Sequence, residues 1–142
     1  MADLSITAAN VAVGASTTPT KRVQAGEAVT QGQAVYRSTS TSKYFKCDAD
    51  VLASSICDGI VLTPASTDGY CLIAEPSNTA GVSLVNLGAT LTVGLGYYIS
   101  LTAGGICVIA DISTGDYPTL VGFATTAALI DFRSIASLTV KA

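Results

Sequence analysis

GATLTVGLGYYIS, residues 88–100, is the stretch on which the reading of the chain turns. Glycine-rich segments come in two kinds, loops that cradle phosphates and strands that bend. A phosphate loop lies between a strand and a long helix, whose N-terminus supplies the anion site. No Gly-Lys-Ser/Thr follows here, and from Ala89 to Leu101 every odd position is apolar while the even positions are Thr, Gly, Tyr or Ser. A period of two marks a half-buried strand. The expectation is therefore a strand running through Gly94 and Gly96, with glycine marking a bend or a close backbone approach. On that alternation Tyr97 faces the core and Tyr98 the opposite side.

The same pattern occurs earlier. GEAVTQGQAVYRS, residues 26–38, aligns with it so that Gly26 falls on Gly88, Thr30 on Thr92, Gly32 on Gly94, Tyr36 on Tyr98 and Ser38 on Ser100. The register continues loosely, and Gly59 falls on Gly122 one residue later. This is the pattern of a duplicated unit of about sixty residues, with repeats at approximately 26–75 and 88–135. Further β-branched and aromatic runs bounded by turn residues lie at 43–47, 59–63, 70–75, 82–86, 90–93, 106–110, 120–124 and 129–135. Helix signals are confined to single turns within 48–56 and 110–116. The fold class expected is all-β: a compact barrel or sandwich of short antiparallel strands.

Residues 1–20 behave differently from the β-domain expected over 21–142. Leu4 and Ile6 alternate with polar residues, Val11 and Val13 flank Ala12, and GASTTPT follows as turn and extended chain. This reads as an extended N-terminal arm with strand-forming pieces. Two roles stay open for it: adding a strand to another chain's sheet, or serving as the first strand of its own.

Charged residues are 12% of the chain, against about 25% in typical soluble domains. A surface so poor in charge points to cover by partner chains. A net charge of −3 with seven basic residues lacks the Lys/Arg footprint of a nucleic-acid binder. The N-terminus has no basic region of a signal peptide. The uncharged stretch from Pro76 to Ala110 is too often interrupted by Gly, Ser, Thr and Asn for a membrane span, so it reads as buried sheet. No two of Cys47, Cys57, Cys71 and Cys107 have Cys-x-x-Cys spacing, and the chain has no histidine. No metal, no cofactor and no catalytic residue is expected, because nucleophile–histidine pairs are impossible and Asp48 with Asp50 reads as turn chemistry.

Three segments carry a resemblance: SITAANV near the start, GEAVTQGQAVYRS, and above all GATLTVGLGYYISLTAGGICVIADISTGDYPTLVGFATTA, residues 88–127. They resemble the capsid decoration, or head cement, proteins of tailed bacteriophages. The resemblance implies a homotrimer on the outer capsid surface that clamps neighbouring subunits of the major capsid protein and stabilises the expanded head. It implies a virion location, after a period in the host cytoplasm. It also implies that the arm extends a sheet of the capsid protein, with Leu4, Ile6, Val11 and Val13 as contacts. From the alternation, Tyr36 and Tyr98 are candidates for an inter-subunit contact. The alternative is a tail- or fibre-associated β-domain that binds host glycan or receptor, with the same two tyrosines as its platform.

Overall fold

Strands of two to eight residues cannot bury a face alone, so they must pair and stack. The structure is a computed structural model describing residues 3–142, and those residues form eleven strands in two antiparallel sheets. In chain order these are β1 (Val11–Val13), β2 (Thr20–Gln24), β3 (Ala34–Arg37), β4 (Tyr44–Lys46), β5 (Gly59–Val61), β6 (Tyr70–Ala74), β7 (Leu84–Leu87), β8 (Gly96–Ile99), β9 (Ile106–Cys107), β10 (Thr119–Ala124) and β11 (Leu129–Ala136). The first sheet runs β2-β6-β5-β3-β4 and the second β1-β7-β11-β10-β8-β9. One helical turn, α1 (Leu52–Ser55), lies between β4 and β5. Among the described residues no helix is long and apolar enough to cross a membrane.

Leaving β1 aside, the second sheet repeats the strand order of the first. The register repeats as well. Tyr36 pairs with Phe45 and Ala34 with Ile60 in the first sheet; Tyr98 pairs with Cys107 and Gly96 with Phe123 in the second. Turn hydrogen bonds recur at the same displacement: Gln33 N to Thr30 O and Leu95 N to Thr92 O, Val29 N to Ala65 O and Leu91 N to Ala127 O, Ser38 N to Lys43 O and Ser100 N to Gly105 O. The two sheets thus share strand order, pairing register and turn hydrogen bonds.

Alternation sends β3, β5 and β6 of the first sheet into two cores. Val23, Val35, Val61, Cys71 and Ile73 face a small core of their own, joined by Tyr44. Ala34, Ile60 and Ala74, with the half-buried Tyr36 and Leu72, face a larger core that they share with Val85, Leu87, Tyr97, Ile99, Val121, Ile130 and Phe132 of the second sheet. Phe132 heads the fully buried side chains by volume. Each half places one tyrosine inside its curl. It comes from β4 in the first half (Tyr44, opposite Val35's strand) and from β8 in the second (Tyr97), where Ile106 stands at the place of Tyr44. The smaller residue on one strand compensates the larger on its neighbour, so the two interiors keep similar bulk.

Several elements differ from their sequence reading. The strand expected through Gly94 begins only at Gly96, because Gly94 has φ +82° and the backbone turns there. Residues 90–93 form no strand: a hydrogen bond from Leu95 N to Thr92 O closes the turn, and Val93 and Leu95 end up exposed. β2 was not legible, since Lys21 and Arg22 are exposed and Val23 is its single buried residue. The run 106–110 gives only two strand residues before a 3-10 turn at Ile109–Asp111. Neither Asp48 nor Asp50 caps α1: the residue preceding it is Val51, and Asp48 Oδ1 accepts from Asp50 N at 3.1 Å, an Asx turn.

Residues 3–20, read as an extended arm, lie against their own chain; residues 1 and 2 of that arm fall outside the described residues. β1 is the edge strand of the second sheet, with Val11 opposite Leu87 and Val13 opposite Val85. Of the two roles left open, the structure displays the strand of its own sheet.

Gly122 tests the packing most sharply. It sits at a register shift between β10 and β11, and a Cβ there would overlap the carbonyl oxygen of Asp131. Gly96, one strand away, would place its Cβ 3.1 Å from the flexible end of Leu120. Gly122→Ala is expected to cost more than about 3 kcal/mol and Gly96→Ala less than about 1 kcal/mol in chemical denaturation.

Candidate interaction surfaces

A sheet edge presents unpaired N–H and C=O groups that must be satisfied or covered. The first sheet closes on itself: Ala25 bridges Tyr44, and Gly26 N donates to Tyr44 O at 2.7 Å. The corresponding residues of the second half are Gly88 and Ile106, and they are not joined in this way. Ile106 O accepts from Leu4 N at 2.8 Å, and Gly88 O accepts from Thr7 N at 2.8 Å. Gly88 N donates instead to the Asn86 side chain at 2.9 Å. Residues 3–7 therefore occupy the seam of the second sheet as an intervening extended segment. Leu4 and Ile6 pack against the shared core, and Ser100 Oγ donates to the Asp3 carboxylate. Gly88 is shaped for this passage. Its φ of +66° suits glycine, and a Cβ there would collide with Thr7 O.

The six residues singled out from the sequence thus fall into two groups. Leu4, Ile6 and Val11 are engaged with the chain's own core, while Val13 on β1 is 44% exposed. Tyr36 and Tyr98 stand at corresponding places, as the alignment requires, but both are half-buried against the shared core. The Tyr36 ring also meets Phe45, centroid to centroid at 6.1 Å.

The exposed apolar surface lies beside Tyr98. Leu120 pairs across to both Tyr98 and Ile135, and Phe123 pairs with Gly96, so all four side chains share one face of the second sheet. Over Gly96 the ends of Leu120, Phe123 and Tyr98 converge within 3.6 Å of where its Cβ would stand. Phe123 is 47% exposed and Ile135 56%. In the first sheet the counterpart of Phe123 is Ile60, fully buried in the shared core. The charges next to this face are paired. Arg133 donates to Asp131 at 3.2 Å, and Gly81 N donates to the same carboxylate at 3.1 Å. Sequence reasoning missed Leu120, Phe123 and Ile135 because they become a patch only through cross-strand register, which no single run displays.

Buried groups carry the remaining chemistry. All four cysteines are free and buried. Burial, reinforced by neighbouring Cys57, pushes the Cys47 thiol well up, and burial followed by the Asp3 and Asp111 carboxylates pushes Cys107 up to about 12. Thiols held protonated are poor nucleophiles. Burial likewise raises the Asp48 carboxyl, against the opposing hydrogen bond from Asp50 N. Comparison with known proteins adds no relative: no family model, no curated protein and no solved structure matches the chain.

The raised thiols have a consequence for stability. The folded chain holds these protons more tightly than the unfolded one, so their contribution is intact below the ordinary thiol pKa. It is lost as pH rises through that value towards the folded one. The thermal midpoint is expected to fall from about pH 8 to about pH 11, with a shallower fall in Cys107→Ala. An equally steep fall in that variant would remove Cys107 as a source.

Proposed function

We propose that this chain is a structural head protein of a tailed bacteriophage: a decoration or cement protein that binds the outer capsid surface as a homotrimer and bridges neighbouring major capsid protein subunits. The observation that carries the reading towards assembly is the apolar face on which Phe123 and Ile135 stand exposed beside the half-buried Tyr98 and Leu120, on a chain with only 12% charged residues. An apolar patch rimmed by paired charges marks a protein contact. The resemblance of residues 88–127 to head cement proteins supplies the capsid as the setting, and a duplicated β-unit suits a small rigid clamp. In this reading the Phe123 face holds the copies together and the β1 edge, with Val13 exposed, extends a sheet of the capsid protein. The chain stabilises the shell by cross-bridging and carries no reaction of its own.

Two measurements test it together. Sedimentation velocity should give concentration-dependent trimers for the native chain, and Phe123→Asp with Ile135→Asp should leave folded monomers by circular dichroism. Co-sedimentation with expanded shells of the virus that encodes the chain should show saturable binding, weakened at least about tenfold in the double variant as avidity is lost. A native chain that stays monomeric and leaves shells bare would overturn the proposal.

A further inference from the structure

The two halves close their sheets by different means, and the difference defines a binding site. In the first half Gly26 N reaches Tyr44 O directly. In the second the equivalent groups stand apart, and residues 3–7 are threaded between them by one backbone hydrogen bond to each side. We infer that the seam between Gly88 and Ile106 is a strand-receiving site, and that the N-terminal segment of a second copy of this chain can enter it in place of the chain's own. The inference does not rest on the capsid reading.

The seam is cut to one segment. Three glycines give it clearance. A Cβ at Gly88 would strike Thr7 O, one at Gly105 would lie 2.7 Å from Asp3 Oδ2, and one at Gly32 would lie 2.7 Å from Ile6 Cγ2. Gly94, the repeat counterpart of Gly32, has nothing within 4 Å, so the contact at Gly32 exists because the segment is there. Recognition is ordered along the strand. The Asp3 carboxylate accepts from Ser100 Oγ, Leu4 N donates to Ile106 O, Ile6 lies against Gly32 and Val11, and Thr7 N donates to Gly88 O. An acidic residue followed by alternating apolar side chains is the class of ligand this slot accepts.

Exchange between copies costs little in contacts. Every copy carries one segment and one seam, and the hydrogen bonds are the same whichever copy supplies the strand. The segment joins β1 through a single 3-10 turn, Ala8–Asn10, whose residues are all exposed and which has no side-chain cap. Open clefts border the segment on both sides, one lined by Ser5, Thr7, Asn86 and Gly88 and the other by Asp3, Ile6, Gly32 and Gly105. Wherever copies are held close, the effective concentration of neighbouring segments rises and exchange competes with self-insertion.

The test uses a fluorescent peptide of residues 1–10, the full chain, and a variant lacking those residues. The peptide should bind the truncated variant saturably at one per chain and the full chain at least tenfold more weakly. A peptide carrying Leu4→Asp and Ile6→Asp should not bind. A folded truncated variant that takes up neither peptide, or both equally, would overturn the inference. Should truncation prevent folding, amide exchange in the full chain decides. Leu4 and Thr7 should exchange at least a hundredfold faster than Val121 and Phe132; equal protection would mean that the segment never leaves and would overturn exchange. No capsid enters this assay, so its failure and failure to decorate shells are separate results.

Discussion

Backbone groups at a strand edge are costly to bury unpaired, and this constraint shapes the N-terminal part of the molecule. The first sheet meets it by curling until Gly26 reaches Tyr44. The second cannot, because its corresponding edges at Gly88 and Ile106 are bonded to residues 7 and 4 instead of to each other. One segment of the chain is thus committed to completing a sheet built from residues eighty or more positions away. That commitment places Leu4 and Ile6 against the shared core and brings β1 alongside β7.

The shared core imposes a polarity on the two similar halves. One face of the first sheet, with Ala34, Ile60 and Ala74, is packed into the interior of the second, so its strands β3, β5 and β6 meet a core on both sides. The corresponding face of the second sheet has no such neighbour, and there the equivalents of buried residues emerge as Phe123 and Leu120. Stacking one sheet on the other leaves one face over. Burying such a face against another copy follows the same energetics as the internal contact, at about 25 cal/mol per Å² of apolar surface.

The alternation through residues 88–100 and its echo at 26–38 correctly placed the chain in the all-β class, and strands β3 to β6 fall where the β-branched runs stand. The alternation also misled, since a period of two continues undisturbed through Thr92–Gly94, where a positive φ turns the backbone. Periodicity registers side-chain polarity and is blind to φ. The arm was legible as strand-forming residues but not by destination: Leu4 and Ile6 look the same whether their partner is another chain or Ile106. The Phe123 face was invisible for a related reason. It is assembled from β8, β10 and β11, and the bulge at Gly122 that sets its register depends on a backbone approach no local sequence states.

In the capsid reading proposed above, the chain is an assembly part that acts through its surfaces. A three-dimensional reconstruction of the assembled particle tests that account most directly. It predicts copies of this chain at regular positions over the outer shell, between capsid subunits, with the Tyr98–Phe123–Ile135 face buried against a neighbouring copy. Shells devoid of the chain, or the chain found only at the tail vertex, would contradict it.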